Sequence, residues 1–177
     1  MPRIPYADLE ALPEEARKYL GARRSPQGNV FKMIANAGKA TTGYLGFGAF
    51  LRQNLAIDLL LYEYVIVRVA NLSRAGYVIR QHEAFLRRQK VSEDIILALR
   101  VRPDSPVFTD AERAALRLVD EIVLNVRASE TTFTAAAKHF TPEQLMHIML
   151  TIGQYMMTSR IVETFDVDLQ PLSSSEG

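Results

Sequence analysis

An all-α fold, a single-domain helical bundle of seven or eight helices, is what this sequence predicts, and three observations carry the prediction. Apolar residues recur at three- and four-residue spacing along most of the 177 residues, which is the period of a helix with one buried face. Two segments, Thr109 with Glu112 and Thr141-Pro142 with Gln144, have the form of capping boxes at helix starts. No stretch alternates apolar and polar residues as a half-buried strand would, and neither heptads nor low-complexity blocks occur.

Taken in order, Pro2, Pro5 and Pro13 make the start irregular, and a helix begins at Pro13 and runs to about Leu20. Gly21 to Gly28 reads as a loop, broken by Ser25-Pro26 and Gln27-Gly28. Val30, Phe31, Ile34 and Ala35 predict a short helix over Asn29–Ala37. Lys39–Gln53 keeps Tyr44, Leu45, Phe47 and Leu51 in helical register, while Gly43, Gly46 and Gly48 weaken it and permit close helix contact. These glycines make no phosphate loop, because no Lys-Ser/Thr pair follows them. Leu55–Leu72 is apolar almost all round, the mark of a central helix covered by its own chain or by another subunit. Arg74–Gln89 is amphipathic, and Ser92 caps a short helix over Glu93–Leu99. Pro103 and Pro106 make Arg102–Phe108 a loop, after which the first box opens a helix to about Val126. A short helix over Thr132–His139 precedes the last, which runs from the second box to Thr164. The domain plan is an N-terminal arm and first helix over residues 1–28, a helical domain over 29–169 and a disordered polar tail over 170–177.

Composition narrows the function. The net charge of +1 provides no electrostatic footprint for nucleic acid or a membrane surface. The chain has no cysteine, which removes disulfides, thiolate metal sites and thiol mechanisms together. The first fifteen residues carry Asp8, Glu10, Glu14 and Glu15 without an apolar run, unlike a signal peptide, so a cytoplasmic location is expected. Asp58, Glu63 and Arg68 interrupt the longest apolar run and argue against a membrane span.

Glu63 and His82 are the candidate chemical residues. With a turn near Ser73, they lie ten residues before it and nine after it, each roughly 14 Å away at 1.5 Å per residue. In an antiparallel hairpin they reach the same level and can face each other. A carboxylate in so apolar a stretch needs a partner, and an imidazole facing it can be that partner. Such a pair can pass a proton near neutral pH, as general acid/base chemistry requires. The same pair can also be a structural pin between two helices, and Arg68 is a rival partner for Glu63. Tyr44, Tyr77 and Tyr155 are candidates to line a pocket, and Arg68 and Arg160 to bind a substrate carboxylate. His139 and His147 read as surface or core residues, and no carboxylate-histidine cluster has metal-ligand spacing.

The segment Leu61-Tyr62-Glu63-Tyr64-Val65-Ile66-Val67-Arg68-Val69-Ala70, followed by Gly76-Tyr77 and Gln81-His82, resembles the core motif of the carboxymuconolactone decarboxylase and alkylhydroperoxidase D superfamily. Similarities continue in Asn29-Val30-Phe31-Lys32-Met33, Glu112-Arg113-Ala114-Ala115, Ile152-Gly153-Gln154-Tyr155 and Val167-Asp168-Leu169, so the resemblance runs from about Pro5 to Leu169. In the peroxidase branch a glutamate is followed by a CxxC pair and then a histidine four residues on. Laid on this sequence, the glutamate is Glu63, the histidine is His82, and the cysteine positions are Ala75 and Val78. Thiol peroxidase chemistry needs an attacking thiolate and a resolving thiol, and this chain has neither.

The resemblance therefore implies the decarboxylase-like branch, which works without those cysteines and without metal or other cofactor. Its expected activity is that of a cofactor-free acid/base lyase, a decarboxylase or isomerase, on a small lactone, organic acid or aromatic-derived compound. His82 would be the acid/base and Glu63 its orienting partner, with Tyr77, Arg68, Tyr44 and Tyr155 around the substrate. Many relatives carry Tyr-Glu-Trp where this chain has Tyr77-Val78-Ile79, which implies a more apolar pocket. Two alternatives remain open: an antioxidant protein acting without thiols, and a non-catalytic oligomeric scaffold. A homo-oligomer, a trimer or hexamer, is expected from the all-round apolar central helix.

Overall fold

A computed structural model describes residues 1–21 and 27–170. Most of the loop expected at Gly21–Gly28, and the polar tail expected over 170–177 apart from Gln170, lie outside the described residues. Among those described there are nine α-helices and no strand. The count exceeds the expected seven or eight, although each helix falls on a segment that reads as helical in the sequence, the short Asn29–Ile34 and Glu130–Ala137 included.

The chain divides into two compact units, Met1–Asn54 with Ile161–Gly177, and Leu55–Arg160. In the first unit a 3-10 turn at Leu9–Ala11 is capped by Asp8, whose carboxylate accepts the Glu10 N–H. Three helices follow: α1 (Glu14–Gly21), α2 (Asn29–Ile34), which runs on into a 3-10 turn at Ala35–Ala37, and α3 (Ala40–Gln53). Leu9, Leu12, Ala16, Leu20, Ala35 and Leu45 form its core. Gly38, at φ +59°, turns the chain from the 3-10 segment into α3. Gly46 packs closely on α1: a Cβ there would meet the Tyr19 ring at 3.1 Å and push it back by a few tenths of an ångström.

The second unit is built around α4 (Leu59–Leu72), which packs against α5 (Gly76–Arg88), α6 (Glu93–Val101) and α7 (Asp110–Asn125). Leu61 to Ala70 are all buried, ten residues in succession. Each fully buried Val, Leu or Ile contributes about 1.5–3 kcal/mol relative to exposure, so α4 is the energetic centre of this unit. The helix starts at Leu59 and not at Leu55. Asp58, read from sequence as an interruption of an apolar run, is its N-cap: the carboxylate accepts the N–H groups of Leu60 and Leu61 at 2.7 and 3.3 Å.

The turn from α4 to α5 takes three residues. Arg74 adopts a left-handed conformation (φ 55°), and the Ala75 N–H closes on the Ala70 carbonyl at 2.9 Å. Both expected capping boxes are present. Thr109 and Glu112 exchange bonds at the start of α7. Thr141 and Gln144 do so at the start of α9 (Pro142–Thr164). Between them, α8 (Glu130–Ala137) is capped by Ser129.

Helix α9 has two unlike faces. His147, Thr151, Gln154, Thr158 and Ser159 are buried although polar, whereas Met146, Met149, Leu150 and Met157 are exposed although apolar. The Thr151 and Thr158 hydroxyls are satisfied locally, each donating to the carbonyl four residues back at 2.8 Å.

Candidate active site

Glu63 sits in the second turn of α4 with its side chain fully buried, and His82 in the second turn of α5 is 17% exposed. His82 Nδ1 lies 2.7 Å from Glu63 Oε2. The three-residue turn sets both groups at one level, as the spacing predicts. An ionised carboxylate among Val65, Ile66 and Val67 would be costly alone, and the imidazole facing it offsets part of that cost. Engaging Nδ1 turns Nε2 to the opposite edge of the ring, where it meets no protein partner among the described residues. The pair thus presents one imidazole nitrogen outward, backed by a buried carboxylate, an arrangement able to accept or donate a proton.

Tyr155 of α9 packs edge-on against His82, ring centroids 5.1 Å apart and planes at 89°. Tyr62, the residue before Glu63, meets Tyr155 at 6.5 Å and His147 at 6.1 Å, both edge-on. Tyr155 thus braces the imidazole directly, and Tyr62 of α4 braces Tyr155 in turn. The sequence reading gives Tyr62 and His147 no role at the site: Tyr62 stands in the motif segment without one, and His147 reads as a surface or core residue. His147 is buried, the core alternative of that reading, and loss of hydration holds its imidazole below the usual value, against a weaker opposing pull from Glu143.

Of the other expected site residues, Tyr77 is buried on the first turn of α5, five residues before His82. Tyr44 belongs to the first unit, half-buried against the Leu9–Leu45 core. Arg68 is placed otherwise than as a partner for Glu63 or for a substrate carboxylate. Its guanidinium is held by Asp120 and by the carbonyls of Leu99 and Arg100. The physical reason is helical phase: five residues on from Glu63, Arg68 points to α6 and α7. Arg160 is exposed and donates to the Met156 carbonyl of its own helix. A further buried acid, Glu83, next to His82 in sequence, accepts from Arg100 at 2.5 and 2.7 Å and from Arg87 at 3.3 Å. Arg87, expected at a solvated helix end, also binds Glu93 at 2.7 Å. No group of three His, Asp or Glu residues that could hold a metal ion occurs among the described residues. Nor, among them, is any helix long and apolar enough to cross a membrane.

Solved structures share this arrangement of helices. An uncharacterized peroxidase-related protein from Ralstonia eutropha JMP134, with an alkylhydroperoxidase AhpD core, superposes with a TM-score of 0.82 over 96% of this chain and 93% of its own, at 19% identity. The chain has the alkylhydroperoxidase D-like fold. A protein of unknown function from Agrobacterium tumefaciens, a candidate antioxidant defence protein AhpD, matches with a TM-score of 0.72 at 22% identity, over 78% of this chain and 96% of its own. Debrominase Bmp8 matches with a TM-score of 0.77 at 14% identity, over 97% of this chain and 92% of its own. A cysteine-to-alanine variant of that debrominase has been seen in complex with 2,3,4-tribromopyrrole. No protein-family model matches the sequence, and no curated protein does. On this fold Ala75 is the N-cap of α5 and Val78 its third residue, both buried.

Proposed function

We propose that the chain is a cofactor-free acid/base lyase, a decarboxylase or isomerase acting on a small lactone, organic acid or aromatic-derived compound. The observation that supports this reading best is the Glu63–His82 pair, with a fully buried carboxylate on Nδ1 and an accessible ring whose Nε2 has no protein partner among the described residues. In a decarboxylation the bond to the carboxylate breaks and its electron pair moves into the conjugated lactone. His82 delivers a proton to carbon, and CO2 leaves. In an isomerisation the same nitrogen removes a proton from one carbon and returns it to another. Glu63 orients the ring and balances its charge in either case. Tyr155 and Tyr77 are the aromatic residues proposed to hold the substrate.

A second reading follows from the peroxidase-related and antioxidant neighbours: an antioxidant role. With no cysteine in the chain it would have to proceed without a thiol. Screening the purified protein against lactones, phenolic acids and peroxides decides between the two. Turnover of a lactone or carboxylated aromatic, lost in His82→Ala, supports the lyase. Peroxide consumption without such turnover overturns it. A broad screen with no turnover, and equal destabilisation by His82→Ala and Glu63→Ala, points to a scaffold.

We also propose a homo-oligomer, a trimer or hexamer, of cytoplasmic location. The support lies elsewhere than expected. Helix α4 is buried by its own chain, so the apolar face needing cover is that of Leu150 and Met157 on α9. A monomeric mass in light scattering at micromolar concentration contradicts this.

A further inference from the structure

A cavity stands apart from the Glu63–His82 pair. Helices α7, α8 and α9 line an open cavity of about 670 Å³, within the range of small-molecule sites (about 300–1,000 Å³). Ile122, Phe133, Phe140, Leu145 and Met149 give it an apolar lining, and none of Glu63, His82, Tyr77 or Tyr155 takes part. Two features at its rim single it out. Val126 ends α7 at φ 71°, a left-handed conformation that is costly for a β-branched residue, and its side chain is 87% exposed although apolar. The chain thus holds an apolar side chain out at the cavity mouth against both backbone and solvation preference. Beside it, Arg127 makes no hydrogen bond or ion pair among the described residues. Glu130, on the same rim, is drawn into its own helix, where it accepts the Thr134 hydroxyl at 3.3 Å.

From this we infer that the α7–α8–α9 cavity binds an apolar small molecule with one anionic end, such as a medium-chain or aryl carboxylate. The apolar body fills the space between Phe133, Phe140 and Met149, and the carboxylate meets Arg127. A guanidinium suits a carboxylate because its planar N–H groups match the two oxygens. The site does not depend on the proposed lyase reading, since it shares no residue with the acid/base pair.

The chain contains no tryptophan, so Phe133→Trp installs a single fluorescent reporter in the cavity wall. Decanoate is the probe, and decanol is its uncharged counterpart. The expected result is a saturable one-to-one change in fluorescence with decanoate and at least tenfold weaker binding of decanol. Arg127→Gln, in the reporter background, should weaken decanoate severalfold and leave decanol unchanged. Ala137→Phe, which adds bulk to the lining, should abolish both signals. If that variant fails to fold by circular dichroism, Arg127→Gln and the decanol comparison still decide. A non-saturating signal, or decanoate binding indifferent to both Arg127→Gln and the loss of charge in decanol, overturns the proposal. So does a signal that follows dimerisation in light scattering and ignores decanoate, because the occupant is then a second copy of the chain.

Discussion

The guanidinium of Arg68 grips the carboxylate of Asp120 with two nitrogens, Nε to Oδ1 at 2.6 Å and Nη2 to Oδ2 at 2.7 Å, tying α4 to α7 across 52 residues of sequence. The same guanidinium takes the last carbonyls of α6 through Nη1, so one side chain joins three helices. Removing it leaves Asp120 and two backbone acceptors short of a donor.

Arg68→Met is therefore expected to lower the unfolding free energy by about 2–3 kcal/mol, the scale of lost charge-assisted hydrogen bonds at a partly buried site. In urea the midpoint should fall with the slope unchanged. A loss below about 0.5 kcal/mol would show that the pair adds nothing to stability.

Once a substrate is found, His82→Ala should reduce turnover by about 10²–10⁴-fold while leaving the helical circular dichroism signal in place. Glu63→Gln should reduce it less and change the shape of the pH–rate profile, because the amide keeps an acceptor but no longer balances the ring's charge. Full activity in His82→Ala would remove the residue from the chemistry.

The Thr109 cap should be measurable alone. Its hydroxyl satisfies the Glu112 N–H, and Glu112 returns the bond to the Thr109 N–H. Thr109→Ala is expected to cost about 1 kcal/mol in chemical denaturation. Thr109→Ser, which keeps the oxygen, should recover most of it.

Burial lowers the affinity of His147 for a proton relative to its ordinary value near 6.5. The unfolded chain therefore binds the proton more readily than the folded one. The stability that this histidine allows is complete above pH 6.5 and is lost as pH falls from there toward the lower folded value. Over that window His147→Phe should show a flatter pH dependence of the urea midpoint than the parent. Parallel curves for the two proteins would dismiss the effect.

The parent protein should consume no peroxide at the expense of a dithiol, since it has no thiol. Ala75→Cys with Val78→Cys places two sulfurs at the N-terminal end of α5, where the helix dipole favours a thiolate. Weak peroxide turnover is expected from the double variant. Both positions are buried, which limits access and keeps the rate low.

What could be read from the sequence was local. Thr109 with Glu112 and Thr141 with Gln144 announce their helices because a capping box completes itself within four residues. Glu63 and His82 could be paired because a short turn and a fixed rise leave one axial solution. Asp58 misled because an acid within an apolar run looks the same as an interruption or as a cap. The partner of Arg68 was out of reach, since nothing near position 68 points to Asp120. The two faces of α9 were equally hidden. Buried His147, Gln154 and Thr158 beside exposed Met146 and Met157 reverse the usual code, so periodicity cannot say which side faces in.

The left-handed Arg74 and the closure of Ala75 on Ala70 make the α4–α5 connection a fixed joint. One residue inserted between Gly76 and His82 would turn the imidazole by about 100° and carry it about 1.5 Å along the helix, off the Glu63 carboxylate. Exchanges of one side chain for another in that stretch leave the alignment standing. The chain can thus drift in composition around its glutamate–histidine pair, but its length there is as constrained as the pair itself.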